Sequence, residues 1–331
     1  MAAQRGSLHS PPLLITTIAS ILLAACAGWP AFACAAGEPE HQATTPKLEG
    51  SQLTMLDGAL AALPAQRPGV TDIYVLGVAG DADEDVFPNE VAYLQELSAK
   101  RWGAEGRMIS LVNRPALGHG GVTPVQATYD SIDHALRGLG QKLDPKEDVL
   151  FLYLTSHGLH DNSVYLHTGR DQEDYLAPEQ LARMLDQAQI GNAVIVVSAC
   201  FSGAFVPALR SPQRMVITAA RKDRPSFGCG NTDSATWFGR AFLVEALNAT
   251  NDFARAYTLA AGNVRRREKE QGELPSEPQF QNGKTVAAVL EQWRAGLPET
   301  PAVPYPFVHQ RPSGGKTLAP KGKPATSNRK G

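Results

Sequence analysis

The chain has 331 residues, 43% of them hydrophobic, enough for a sizeable core in one large or two small domains. Lys and Arg number 31 against 33 Asp and Glu, with no stripe of basic and aromatic residues, which argues against a nucleic-acid partner. Cys26, Cys34, Cys200 and Cys229 are too few and too scattered for a disulfide framework, and no CxxC or HxxxH spacing offers a structural zinc site.

Arg5 and the uncharged apolar run 13–25 form an export signal, too short for a membrane span of roughly 20 apolar residues. Two processing readings stay open. Leu23-Ala24-Ala25-Cys26 resembles a bacterial lipobox, in which Cys26 would be lipidated; alternatively Ala31-Phe32-Ala33 directs cleavage after Ala33. Residues 1–26 are thus expected to be a signal segment and 27–52 a small, polar linker. The product would be periplasmic or a membrane-anchored lipoprotein of a bacterial envelope, touching the membrane only through that anchor or segment.

A folded domain is expected over 53–297. Leu53, Leu56, Leu60 and Leu63 form one face of a short helix stopped by Pro64, and 72–80 reads as a first strand. After it come an acidic loop, 81–85, a helix from about Pro88 to Trp102, and a second strand, 107–112. Thr123 is expected to cap a helix running towards Leu143, and His119 falls in the glycine-rich loop before it. Residues 149–155 and 193–200 are nearly continuous apolar runs, which suit strands buried on both faces of a parallel sheet. Between them, 177–188 has helical spacing. A further strand (214–220), helices at 235–248 and 252–270, a Pro-rich loop (274–280) and a last helix (285–295) complete an α/β sandwich with a mostly parallel sheet. Residues 298–331, rich in Pro and Lys, read as a basic, disordered tail.

The two apolar strands end in reactive residues, His157 and Cys200. Strand, helix, strand is a crossover that leaves both carboxyl ends on one sheet edge, where neighbouring strands lie about 4.8 Å apart. A histidine and a cysteine placed there can form a dyad. Gly158, with no side chain, and Cys200 can each aim an N–H at an oxyanion, and Thr155 or Ser156 is expected to orient the imidazole. His160 and His167, flanking a hairpin at 163–167, are expected at the surface, Asp130 and Asp133 on the polar face of a helix, and Cys229 in a loop on the active edge, where it could pair with Cys34.

These residues carry a resemblance. Ser156-His157-Gly158 and Ser198-Ala199-Cys200-Phe201-Ser202-Gly203, followed by 216–220 and Arg224-Pro225-Ser226-Phe227-Gly228-Cys229, resemble the legumain family of cysteine peptidases, of the caspase-like clan, and most of all its exported bacterial branch. The likeness spans roughly 71–246. It implies a caspase-like three-layer α/β/α sandwich, Cys200 as nucleophile, His157 as catalytic histidine and Gly158 as oxyanion donor, with no cofactor or metal.

The pocket residues depart from the family pattern. Ser198 stands where legumain has a glutamate, Arg240 falls in register with a second pocket acid, and 81–88 lacks the family's Asn and Arg. Arg240 could select an acidic side chain, or Asp83 and Asp85 a basic one. The expected activity is peptide-bond hydrolysis on a peptide or protein substrate through a thioester. A transamidase using the same dyad and a non-catalytic peptide-binding lipoprotein are the alternatives.

Overall fold

The computed structural model describes residues 47–114, 124–169, 172–230 and 233–308. The signal segment, Cys26, Cys34, His119, Thr123 and the chain from 309 lie outside them. A six-stranded sheet runs in the order β2-β1-β3-β6-β7-β8. The strands are β1 (Ile73–Ala79), β2 (Met108–Val112), β3 (Val149–Thr155), β6 (Asn192–Ser198), β7 (Arg214–Thr218) and β8 (Gln279–Gln281). All neighbours pair in parallel except β7 with β8. A separate hairpin, β4 (Val164–His167) with β5 (Glu173–Leu176), follows β3.

Side-chain alternation along the central strands builds two cores. Leu150, Leu152 and Leu154 of β3, with Ile195 and Val197 of β6, face helices α1 (Gly50–Ala62), α3 (Tyr129–Gly140) and α4 (Pro178–Gln187) through Leu56, Leu136 and Leu185. Val149, Phe151 and Tyr153, with Val194 and Val196, face α2 (Val86–Trp102), α8 (Phe253–Gln271) and α9 (Lys284–Ala295) through Leu94, Phe253 and Trp293. Because both faces are covered, β3 and β6 are buried along their whole length, which is why their sequences lack polar alternation. The fold is the expected α/β sandwich of caspase-like type.

Four expectations are corrected. The helix placed after Thr123 begins at Tyr129 and is capped by Thr128, whose side chain accepts from Ser131 N while Ser131 Oγ accepts from Thr128 N. Within the Pro-rich loop, Gln279–Gln281 adds the antiparallel edge strand, with Phe280 opposite Ile217; three residues are too few to show a period. The helix over 235–248 divides into α6 (Trp237–Gly239), a π-helical stretch (Arg240–Ala246) and α7 (Leu247–Ala249). The first residues of the supposed tail pack on the body. Val303 is buried, and its carbonyl accepts from Tyr93 Oη at 2.8 Å and Asn248 Nδ2 at 3.1 Å. Among the described residues no helix is long and apolar enough to cross a membrane.

Candidate active site

The carboxyl ends of β3 and β6 meet as expected. Thr155 pairs with Ser198, and Ser156 N donates to Ser198 O at 3.3 Å. Two residues on, Gly158 lies flat against the Cys200 backbone: a Cβ built there would stand 1.9 Å from the Cys200 carbonyl oxygen. Only glycine permits that approach, and it brings His157-Gly158 and Cys200 to one place. Phe201, directly after Cys200, has φ of 55°, a left-handed conformation uncommon for a bulky residue. Asn162 holds that turn, its Nδ2 donating to Phe201 O at 3.1 Å and Lys222 O at 2.6 Å. Asn162→Ala is expected to cost about 1–2 kcal/mol by leaving these carbonyls unpaired, read as a lower denaturant midpoint with an unchanged slope.

His157 is about a third exposed, its ring edge-on to Phe87 at 5.2 Å. Its Nε2 faces Asp81 Oδ2 at 3.8 Å, and Asp81 is buried. Asp81 therefore occupies the orienting position expected of Thr155 or Ser156, whose hydroxyls are committed elsewhere. Thr155 Oγ1 donates to Glu90 at 2.6 Å, and Ser156 Oγ to Tyr165 O at 2.5 Å. Asp81 is fixed by accepting from Asp83 N at 2.8 Å and by backbone pairing of its turn with β4: His167 N donates to Gly80 O and Ala82 N to His167 O.

Cys200 is half-buried and surrounded by donors. Ser226 N donates to Sγ at 3.2 Å, and the thiol can donate to Ser226 O at 3.4 Å. Cys229, Gly158 and the Cys200 backbone also act on this sulfur in favour of its thiolate. The hydrogen bond from Cys229 is the largest influence, and with the backbone donors it outweighs burial and brings the Cys200 thiol down to about 7. The same bond pushes Cys229 up, so Cys200 is the thiolate of the pair; it holds more backbone donors. Capture of Cys200 by iodoacetamide is therefore expected to rise with pH through a midpoint at about 7. In Cys229→Ala that midpoint should move upward, and an unmoved midpoint would remove Cys229 as a donor.

The residues proposed to select the substrate do not form one pocket. Ser198 is buried, its Oγ 3.2 Å from Thr236 Oγ1. Arg240 donates to Ser234 Oγ at 3.0 Å, lies 5.1 Å over the Tyr305 ring, and lines a cleft of about 380 Å³ with Asp233, Trp237 and Arg267. Asp83 and Asp85 are exposed, Asp85 preceding α2 and Asp83 Oδ2 standing 3.5 Å from His167 Nδ1. His160 is exposed against Phe201, whereas His167 is half-buried, stacked on Tyr165 and 3.5 Å from Asp81. Asp81, Asp83 and His167 offer ligand atoms within 4.8 Å of one another, the one group among the described residues that could hold a metal ion. A cleft of about 830 Å³ lies around Pro145, Gly191 and Arg214, at the opposite ends of these strands.

Beneath His157 and Cys200 is a residue that sequence reasoning passed over. Glu90 on α2 is buried and accepts four hydrogen bonds, from Tyr153 Oη and Thr155 Oγ1 on one oxygen and from Thr236 N and Oγ1 on the other, all at 2.6–2.8 Å. Its position was marked in the sequence, since 87, 90, 94 and 97 share the apolar face of the helix. Glu90 ties β3 to the start of α6, and through Thr236 to Ser198, two residues before Cys200.

No curated protein gives a significant match to the chain. The model of the Peptidase C13 family matches residues 133–288, a span that holds His157, Gly158, Ser198, Cys200, Cys229 and Arg240 and leaves Asp81 and Glu90 outside. Over that span, which carries β3, β6, β7 and the Cys200 turn, the chain is similar to the Peptidase C13 family, the legumain family of cysteine peptidases.

Proposed function

We propose that this protein is an exported cysteine endopeptidase working through Cys200 and His157. The observation that carries the reading is the seating of Gly158 on the Cys200 backbone, which puts the N–H groups of both residues beside the sulfur's point of attack. Cys200 Sγ attacks the scissile carbonyl, and the carbonyl oxygen takes up negative charge opposite the N–H groups of Gly158 and Cys200. His157 protonates the leaving amine, with Asp81 holding its other edge. The resulting thioester is hydrolysed by water, the proton passing back through His157. An amine in place of water would make the same enzyme a transamidase.

Substrate selection is assigned to the surroundings of Cys200: Arg240 favouring an acidic side chain, or Asp83 and Asp85 a basic one, with Ser198 below. Its lateral contacts with Ser234 and Tyr305 leave Arg240 less free than the exposed acids. Export rests on the N-terminal signal, with lipidation at Cys26 or cleavage after Ala33.

The test is a peptide library digested by wild type, Cys200→Ala and His157→Ala, with cuts mapped by mass spectrometry. Cuts present in wild type and absent from both variants are expected. The residue before each cut decides between Arg240 and the acidic turn, and product mass with an added amine decides between hydrolysis and transamidation. Cuts that persist in Cys200→Ala, or a wild type that cuts nothing after full processing, would overturn the assignment.

A further inference from the structure

The catalytic scheme leaves one reactive group unexplained. Cys229 follows Gly228, whose φ is +83° and whose added Cβ would stand 2.4 Å from Trp237 Cδ1. The close seating of Gly228 on Trp237 turns the chain, and the half-buried Cys229 packs against the cluster of Val86, Phe87 and Val91. Phe87 in turn touches the His157 ring. Ser226, three residues before Cys229, holds the Cys200 sulfur through its backbone N–H at 3.2 Å, and Cys229 itself packs on the Phe87 that touches His157, so the two thiols are neighbours. A packing role alone needs no sulfur at 229, because a small apolar side chain would fill that place.

We infer that Cys200 and Cys229 form a reversible redox-modification site, in which a peroxide oxidises the nucleophile and the second thiol captures the product as an intramolecular disulfide. In the first step the Cys200 thiolate attacks a peroxide oxygen. The O–O bond breaks, one peroxide oxygen stays on the sulfur as sulfenic acid, and the other leaves as hydroxide, which is protonated to water. In the second step Cys229 sulfur attacks Cys200 sulfur, the S–OH bond breaks, and water leaves with the proton from the Cys229 thiol. Two thiols and one peroxide give one disulfide and two waters. A dithiol reductant reverses the state by exchange. Capture at the sulfenic stage keeps Cys200 from the sulfinic and sulfonic acids, which simple thiols do not reverse.

The order of events follows from the surroundings of the two sulfurs. Cys200 has the backbone donors that favour a thiolate and is attacked first; Cys229 keeps its proton and acts second. The inference needs an oxidisable Cys200 and a neighbouring thiol, and stands whether or not peptides are cut.

The test uses the reduced full chain, treated with hydrogen peroxide and mapped by mass spectrometry without reduction. The expected product is a monomeric chain in which the peptides containing Cys200 and Cys229 are joined and lighter by two hydrogens. Dithiothreitol should then restore full alkylation of Cys200. In Cys229→Ser the same treatment is expected to leave Cys200 as sulfinic or sulfonic acid, with alkylation lost for good. Melting curves of wild type and Cys229→Ser before oxidation check that the variant folds, and the wild-type map stands by itself if it does not. Sulfinic acid at Cys200 in the wild type, or a Cys200 link to Cys26 or Cys34 instead, would overturn the inference.

Discussion

Gly158→Ala is expected to lower kcat/KM on any peptide that the wild type cleaves by about 10³-fold or more, with a smaller effect on folding. Loss of one oxyanion donor costs about 10²–10³, and displacing the reacting groups by about 1 Å costs a further factor of order 10². Both follow here from one methyl group. Its carbon would lie 1.9 Å from the Cys200 carbonyl oxygen, with the Cys200 carbonyl carbon at 2.8 Å and nitrogen at 3.0 Å, and none of these is a flexible side-chain end that could swing aside. The two strand ends must separate, carrying the Gly158 N–H away from the substrate oxygen and His157 away from the sulfur. The measurement is kcat/KM on one mapped peptide, with circular dichroism to show that the sheet survives. A variant within tenfold of wild type would mean that Gly158 is not part of the oxyanion site.

Glu90→Ala is expected to destabilise the protein by about 3–5 kcal/mol, because it strips the acceptor from a buried, hydrogen-bonded network. Tyr153 Oη, Thr155 Oγ1, Thr236 N and Thr236 Oγ1 all donate to this one carboxyl group. The space left behind adds to the cost. Gly239 packs so closely on the carboxyl group that a Cβ there would meet Glu90 Oε1 at 2.0 Å. Glu90→Gln keeps the volume and is expected to cost less. Its comparison with wild type also carries a pH signature. Burial raises the Glu90 carboxyl above its ordinary value of 4.5 and outweighs the hydrogen bonds that oppose the shift. The folded state therefore binds that proton more tightly than the unfolded state does. Its contribution to stability is complete below 4.5 and is lost as pH rises through the raised folded value. The advantage of wild type over Glu90→Gln in thermal unfolding should accordingly shrink as pH climbs from 4.5. An advantage that grew with pH would show that the four hydrogen bonds win over burial.

The unoriented thiol and the unoriented imidazole were both legible in the chain. Residues 149–155 and 193–200 are apolar without interruption, and strands of that kind lie in the middle of a parallel sheet with their ends at one edge. His157 and Cys200 are the reactive residues at those ends, and Gly158 is the small residue that lets them meet. The reason is local: period, burial and chain direction are written in consecutive residues. The same holds for α4, with Pro178 in its first turn.

What surrounds His157 and Cys200 was decided by tertiary structure. Asp81 lies in an acidic turn that reads equally well as a specificity loop, and only the pairing of that turn with β4 sets its carboxyl against His157. Cys229 meets Cys200 because the loop after β7 folds back over the edge, held by Phe201 N donating to Arg224 O and by Trp237 N donating to Phe227 O. The strand Gln279–Gln281 takes its conformation from the free edge of β7, and Val303 from the surface made by Tyr93 and Asn248. By itself the sequence determined the layers, the sheet and the placing of His157 and Cys200 at neighbouring strand ends, since hydrophobic period acts over neighbouring positions. The orientation of the imidazole, the donors on the sulfur and the buried carboxyl below them depend on contacts between segments far apart in the chain, and such contacts exist only once the two cores have closed.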